Sequence, residues 1–196
     1  AAGCLFVTAA VESVDERVLQ HLAKNHTRAD IERALRLCRD AGIAMAPTFV
    51  PFTPWTTLEG YLELLRALLR LRLVEAVPPI QLCIRLLVPE GSWLLRLPGF
   101  RDMIEPFDAK LLGYPWRHAD SRVDALQQGL QALAAQGDQQ GWSRSEVFGQ
   151  MWRLAHEALG LAPPPLQPAD FGEPVAHLSE PWYCCAEPTE QQLQSF

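Results

Sequence analysis

An apolar run that wants cover on both faces stands at the head of the chain. Cys4-Leu-Phe-Val-Thr-Ala-Ala-Val11 holds one hydroxyl and no charge. A half-solvated strand alternates polar and apolar residues, so an unbroken run predicts a strand of a mostly parallel sheet with helices on both faces. A helical pattern follows. Ser13 precedes Glu16 by three residues, a capping-box spacing, and Val14, Val18, Leu19 and Leu22 recur at helical intervals as far as Lys24. Thr27 with Asp30 repeats the capping signal, and Ile31, Ala34, Leu35 and Cys38 form the stripe of a second helix that closes at Gly42. Ile43 to Val50 returns to strand composition, with Pro47 removing a ladder donor and implying a bulge or unpaired N–H there.

The alternation continues. Two prolines keep Pro51-Phe-Thr-Pro-Trp55 out of any helix. Thr56 and Glu59 then predict a cap for a helix with Leu58, Tyr61, Leu62, Leu65 and Leu69 on one face. A leucine stripe beside a sheet reads as core rather than as a partner-binding surface. Ile80 to Val88 reads as a third strand, closed by Pro89-Glu-Gly91. Strands alternating with helices require crossover connections, either in an open wound sheet or in a (βα) barrel, and ligands then sit at the strands' carboxyl ends. Those ends are Glu12-Ser13, Val50 to Pro54 and Val88 to Ser92. After about residue 95 the character changes to proline-punctuated loops and two helices, Ser121 to about Ala135 and Ser143 to Leu159. From Pro163 an extended, proline-rich tail leads to Trp182-Tyr-Cys-Cys-Ala-Glu-Pro188. The expected organisation is therefore an α/β part over residues 1–95, a helical extension over 96–162 and a tail over 163–196.

Charge narrows the function classes. Against 23 acidic residues stand 17 basic ones among 196, a net charge of −6, so the mean field repels phosphate backbones and anionic lipid; neither nucleic acid nor a membrane is an expected partner. Even the leucine-rich stretch from Leu58 to Val77 carries Glu59, Glu63, Arg66, Arg70, Arg72 and Glu75, too many charges for a membrane span. Five scattered cysteines fit a reducing cytoplasm better than a disulfide scaffold. The histidines His21, His118, His156 and His177 show no zinc spacing, and His26 reads as a hydrogen bonder flanking a helix.

The segment from Gly3 to Val50 resembles the second half of the radical S-adenosylmethionine (SAM) enzyme barrel. The resemblance is carried by Val11-Glu-Ser13 at a strand end, the helix with Val18 and Leu19, Lys24-Asn-His-Thr27, Arg36-Leu-Cys-Arg-Asp40, and Ala41-Gly-Ile43 leading into the next strand. The third strand and Pro89-Glu-Gly-Ser92 are similar to the family's last barrel strand and the turn after it. Cys184-Cys-Ala-Glu-Pro188 resembles the tail of the CUAEP/CCAEP-tail subgroup. The resemblance implies a partial (βα) barrel and an enzyme that uses a [4Fe-4S] cluster to cleave SAM to a 5′-deoxyadenosyl radical. The cluster loop of three close cysteines does not occur in this sequence, so the expectation is a C-terminal portion that carries no cluster or catalysis alone. Its partners would be the missing N-terminal half of the barrel, a small-molecule substrate of unknown kind, and possible further copies of itself through unpaired sheet edges.

Within that frame Glu12 falls where the family places a polar residue near the ribose or methionine of SAM, and a carboxylate can accept from two vicinal hydroxyls. The competing reading makes Glu12 and Ser13 simple helix caps. Arg85, flanked by apolar residues, needs an anionic partner, either a carboxylate of cofactor or substrate or a structural ion pair. Thr48, the one hydroxyl of the second strand, lines the cavity or merely packs. The 51–56 loop departs from the family's glycine-proline turn, and Phe52 or Trp55 offers aromatic contact in its place. Cys184 and Cys185 are the candidate catalytic thiols; with Glu180 and Glu187 nearby and no cation, their pKa should stay near ~8.5. Two other functions remain open: a thiol redox or metal-delivery module acting through that pair, and a noncatalytic α/β binding domain.

Overall fold

A computed structural model of the chain describes residues 3–175. It is a mixed α/β protein built on a two-stranded parallel sheet. The elements run β1 (Phe6–Glu12), α1 (Glu16–His21), α2 (Arg28–Asp40), β2 (Ala44–Phe49), α3 (Leu58–Leu71), then short single turns and loops, α4 (Ser121–Gln140) and α5 (Arg144–Ala158). β1 and β2 pair with Phe6 opposite Ala44 and Ala10 opposite Thr48, and α2 makes the crossover between them. Chain direction and crossover agree with the alternation in the sequence.

Local chemistry explains most element ends. The Thr27 hydroxyl accepts from Asp30 N–H while the Asp30 carboxylate takes the Thr27 N–H, closing a capping box on α2. The same reciprocal pair, Ser143 with Glu146, opens α5. These hydroxyl and amide donors hold the carboxyls of Asp30 and Glu146 below the usual carboxylate range. Two expected caps move by one or two positions. Asp15, not Ser13, caps α1 by accepting from Arg17 N–H at 2.8 Å. Thr57, not Thr56, caps α3 by accepting from Gly60 N–H. α4 runs five residues beyond the expected end at Ala135, to Gly141 in a left-handed cap.

The third strand is the largest departure from expectation. Pro79–Leu82 forms a 3₁₀ turn, since Pro78 and Pro79 fix two successive φ angles near helical values and withhold two ladder donors. What remains is one parallel bridge between Phe52 and Arg85, with Phe52 N–H on Ile84 O at 3.1 Å and Leu86 N–H on Phe52 O at 2.9 Å. The Gln81 side chain supplies the missing acceptor for the next donor of β2, taking Phe49 N–H at 3.2 Å.

Pro47 proves harmless. Ala44 N–H bonds Leu5 O, so in a parallel ladder Ala44, Ala46 and Thr48 turn their amides toward β1, and Pro47 falls on the opposite side. The register shift lies instead in β1, between Ala10 and Glu12. β1 also lacks the two-sided cover expected of it, since Leu5 is 71% exposed and Val7 36%.

One hydrophobic core runs from Val11 through α3 to Ala155, so α4 and α5 share it with the sheet rather than forming a separate core. α3 buries Leu58, Leu62, Leu64, Leu65 and Leu68, each leucine worth about 1.5–3 kcal/mol. That settles the leucine stripe as core. α4 and α5 approach closely at Gly137, where a Cβ would collide with the Val147 side chain.

Candidate functional site

The register shift builds the site. With Val11 squeezed out of the ladder, Val50 N–H reaches past it to Glu12 O at 2.9 Å. The released Val11 carbonyl accepts Ser13 N–H at 2.8 Å and His26 Nε2 at 3.1 Å. Glu12 itself is driven to φ 66°, a left-handed conformation that costs a residue with a Cβ about 1–2 kcal/mol. Its carboxylate is buried and its Oε1 accepts from Lys24 Nζ at 2.9 Å. A charge-assisted bond between groups this shielded returns on the order of 1–2 kcal/mol, about the size of the strain. The bulge and the ion pair therefore hold Glu12 in one orientation at the carboxyl end of β1. Glu12 does not cap α1.

Ser13 is half-buried beside it. Its Oγ accepts from Asp15 N–H at 3.0 Å, leaving the hydroxyl proton as a donor. Thr48 makes a long 3.5 Å bond to Ala9 O within the sheet. The 51–57 loop is fixed by two buried threonines: Thr56 Oγ1 donates to Pro51 O at 2.8 Å and accepts from Thr53 N–H at 3.0 Å. Phe52 is fully buried and stacks on Tyr61, with ring centres 5.0 Å apart, so it offers no open face. Trp55 is half-buried and stacks on His21 at 4.2 Å with the ring planes nearly parallel, and Phe100 lies at 5.5 Å.

Arg85 meets an ion-pair partner of the protein's own. Its Nη1 donates to Asp124 Oδ1 and its Nη2 to Trp116 O, both at 2.6 Å, and the guanidinium lies 3.9 Å over the Trp116 ring. Asp124 also accepts His118 N–H at 3.0 Å. The structure thus joins Glu12, the Pro51 loop and Arg85 through one continuous set of backbone bonds, with all three segments running the same way. It brings Glu12 and Ser13 to a common rim and engages Arg85 with the extension. Cys184 and Cys185 lie outside the described residues.

Lys24, His21 and His26 enter the site unforeseen in these roles. The only advance signals were the Lys24-Asn-His-Thr27 element of the resemblance and His26's place beside a helix; nothing local to Glu12 points to a lysine twelve residues away.

Among the described residues Cys4, Cys38 and Cys83 are free and sit on separate elements, and no group of three metal-ligating side chains occurs. Burial pushes the Cys83 thiol up to about 12, which makes it an inert core group. No described helix is long and apolar enough to cross a membrane. No protein-family model matches the chain, and no curated protein or solved structure matches it.

Proposed function

We propose that this chain is the later part of a radical SAM enzyme barrel, with a helical extension and a thiol-bearing tail, and that it presents the Glu12-Ser13 rim to SAM. The observation that carries this reading is the unbroken hydrogen-bonded row from Glu12 O to Val50 N–H, and from Phe52 to Ile84 and Leu86. It sets the carboxyl ends of β1 and β2 beside the 84–86 segment in a parallel arrangement, and ligands bind at the carboxyl ends of strands in sheets of this kind.

The residues present divide sharply in their fit to the implied groups. The three described cysteines are too dispersed to hold a [4Fe-4S] cluster, which needs three or four thiolates at one point, so no cluster ligand is assigned here and no step is drawn through it. SAM fits better. Glu12 is a buried, orientated acceptor for vicinal hydroxyls, and Ser13 retains a donor proton; Trp55 at the same end of the sheet is already packed between His21 and Phe100. SAM, if held there, would supply the radical chemistry. The chain's own residues bind and orient. Lys24 fixes the Glu12 carboxylate, His26 and Ser13 satisfy the carbonyl that the bulge releases, and Arg85 ties the third segment to Asp124 rather than to ligand. Cys184 and Cys185 are proposed as thiols acting on substrate after SAM is bound.

The test uses the complete polypeptide that carries this chain, reconstituted with iron and sulfide and reduced without oxygen. It should convert SAM to 5′-deoxyadenosine and methionine. Glu12→Gln should raise the KM for SAM about tenfold or more, the effect of weakening one charged hydrogen bond, and Cys184→Ser with Cys185→Ser should leave SAM cleavage in place while abolishing turnover of the substrate. Failure of the intact, cluster-loaded protein to cleave SAM would remove the enzymatic reading.

A further inference from the structure

At the opposite end of the sheet, away from the Glu12 rim, a cleft of about 360 Å³ opens between α2, the start of β2, the end of α3 and the 172–175 segment. Its size falls in the range of small-molecule sites. The floor is apolar: Leu35, Met45, Leu73 and Ala76 are each at least 95% buried and line it. Two guanidiniums, Arg39 and Arg72, stand on the rim. Neither has a carboxylate within ion-pair distance among the described residues, as is also true of most other arginines outside the paired set Arg28, Arg70, Arg85, Arg117 and Arg122. Glu173 also lines the cleft but pairs with neither arginine, leaving the rim net positive.

A backbone carbonyl holds the Arg39 guanidinium, and close packing fixes the Arg72 backbone. Arg39 Nη2 donates to Leu71 O at 2.6 Å, spending one of five guanidinium donors. Arg72 ends α3 in a left-handed conformation, φ 55°, and Gly172 packs so closely on the Arg72 carbonyl that a Cβ there would collide with it. Complementing the negative ends of α2 and α3 accounts for a positive charge here. It does not account for a gap of ligand size between apolar side chains and two forked donors.

We propose that this cleft binds an amphipathic organic anion, with its apolar body on the Leu35–Met45–Ala76 floor and a carboxylate or phosphate head between Arg39 and Arg72. The guanidinium fork matches either head, and the test separates them. Backbone amide NMR shifts of Ile43, Ala44, Met45 and Ala76 are followed on titration with octanoate, octyl phosphate, octanol and inorganic phosphate. The two octyl anions should saturate shifts at these residues, the tighter one identifying the head. Octanol should bind at least tenfold more weakly, and inorganic phosphate alone should not saturate.

Arg39→Gln with Arg72→Gln should bring the anions to the affinity of octanol, and the doubly lysine-substituted protein should recover part of the difference. No saturable shift with either anion would overturn the proposal, as would octanol binding as tightly as the anions, or inorganic phosphate binding as tightly as octyl phosphate. The unsubstituted protein alone decides these outcomes, so a variant that fails to fold does not blunt the test. SAM cleavage at the other end of the sheet does not enter the readout.

Discussion

On the side of the 82–88 segment the carbonyls are already taken, whereas along β1 they stand open. Leu82 O accepts from Tyr61 Oη, Cys83 O from Gln127 Nε2, Leu86 O from Trp116 Nε1 and Val88 O from Tyr114 N–H. By the alternation that turns Ile84 and Leu86 toward Phe52, Cys83 faces outward, and Gln127 holds its carbonyl where a further strand would pair. In β1 the ladder geometry turns the amides and carbonyls of Phe6, Thr8 and Ala10 outward, and among the described residues only the Cys4 thiol meets one of them, the Phe6 carbonyl. Phe6 to Ala10 carries no lysine, proline or inward charge of the kind that guards an edge. The difference teaches that side chains and a loop take the carbonyls along 82–88, whereas among the described residues the outward groups of Phe6, Thr8 and Ala10 are left for another strand. A further strand has the outward groups of β1 to pair with.

The closed edge should break first at Trp116. Trp116→Ala removes a 97%-buried indole, its bond to Leu86 O and its stack on Arg85 together, and urea denaturation should show a loss of about 3–5 kcal/mol. Asp124→Ala removes the Asp124 partner of Arg85 and frees His118 N–H; a loss of about 1.5–3 kcal/mol is expected, reduced toward the lower figure because both side chains keep some contact with water. Gln127→Ala leaves the Cys83 carbonyl buried and unbonded, for about 1–3 kcal/mol.

Alkali offers a gentler probe of the same edge. In the native state Cys83 holds its proton to about pH 12, while the unfolded thiol releases it near its ordinary value of 9.0. The native state then binds more protons, so stability should fall by about 1 kcal/mol per pH unit between these limits, and Tyr61, also raised by burial, should steepen the fall above its ordinary 10.0. Cys83→Val should remove the first part of this dependence. The smallest change in folding stability belongs to the open edge: Val7→Lys, at an exposed position, should alter it by less than about 0.5 kcal/mol. Sedimentation would nevertheless move toward monomer if copies of the chain pair through β1.

Local signals carried much of this architecture. The capping boxes at Thr27 and Ser143, the stripe of α3 and the apolar run of β1 are each written within a few neighbouring residues, and each appears as an element where the pattern puts it. The Ile80–Val88 segment has strand composition too, but Pro78-Pro79 and the Gln81 side chain decide its geometry, and Gln81 acts on Phe49, thirty-two residues back. The site shows the same division. Glu12 could be singled out as polar at a strand end, while its left-handed backbone and its bond to Lys24 arise from a register shift against β2 that no local pattern encodes. Arg85's need for an anion was legible; that Asp124 of a distant helix answers it was not, because the contact depends on how α4 packs against the 79–82 turn.

Amide hydrogen exchange measured residue by residue reads the contrast between the two edges most directly. The outward amides of Phe6, Thr8 and Ala10 should exchange within the time of an unprotected surface strand, while Leu86 and Tyr114, bonded to Phe52 O and Val88 O, should exchange only through larger openings, at least a hundredfold more slowly. Equal protection of the two sets in the monomer would contradict a β1 whose outward groups have no strand partner among the described residues.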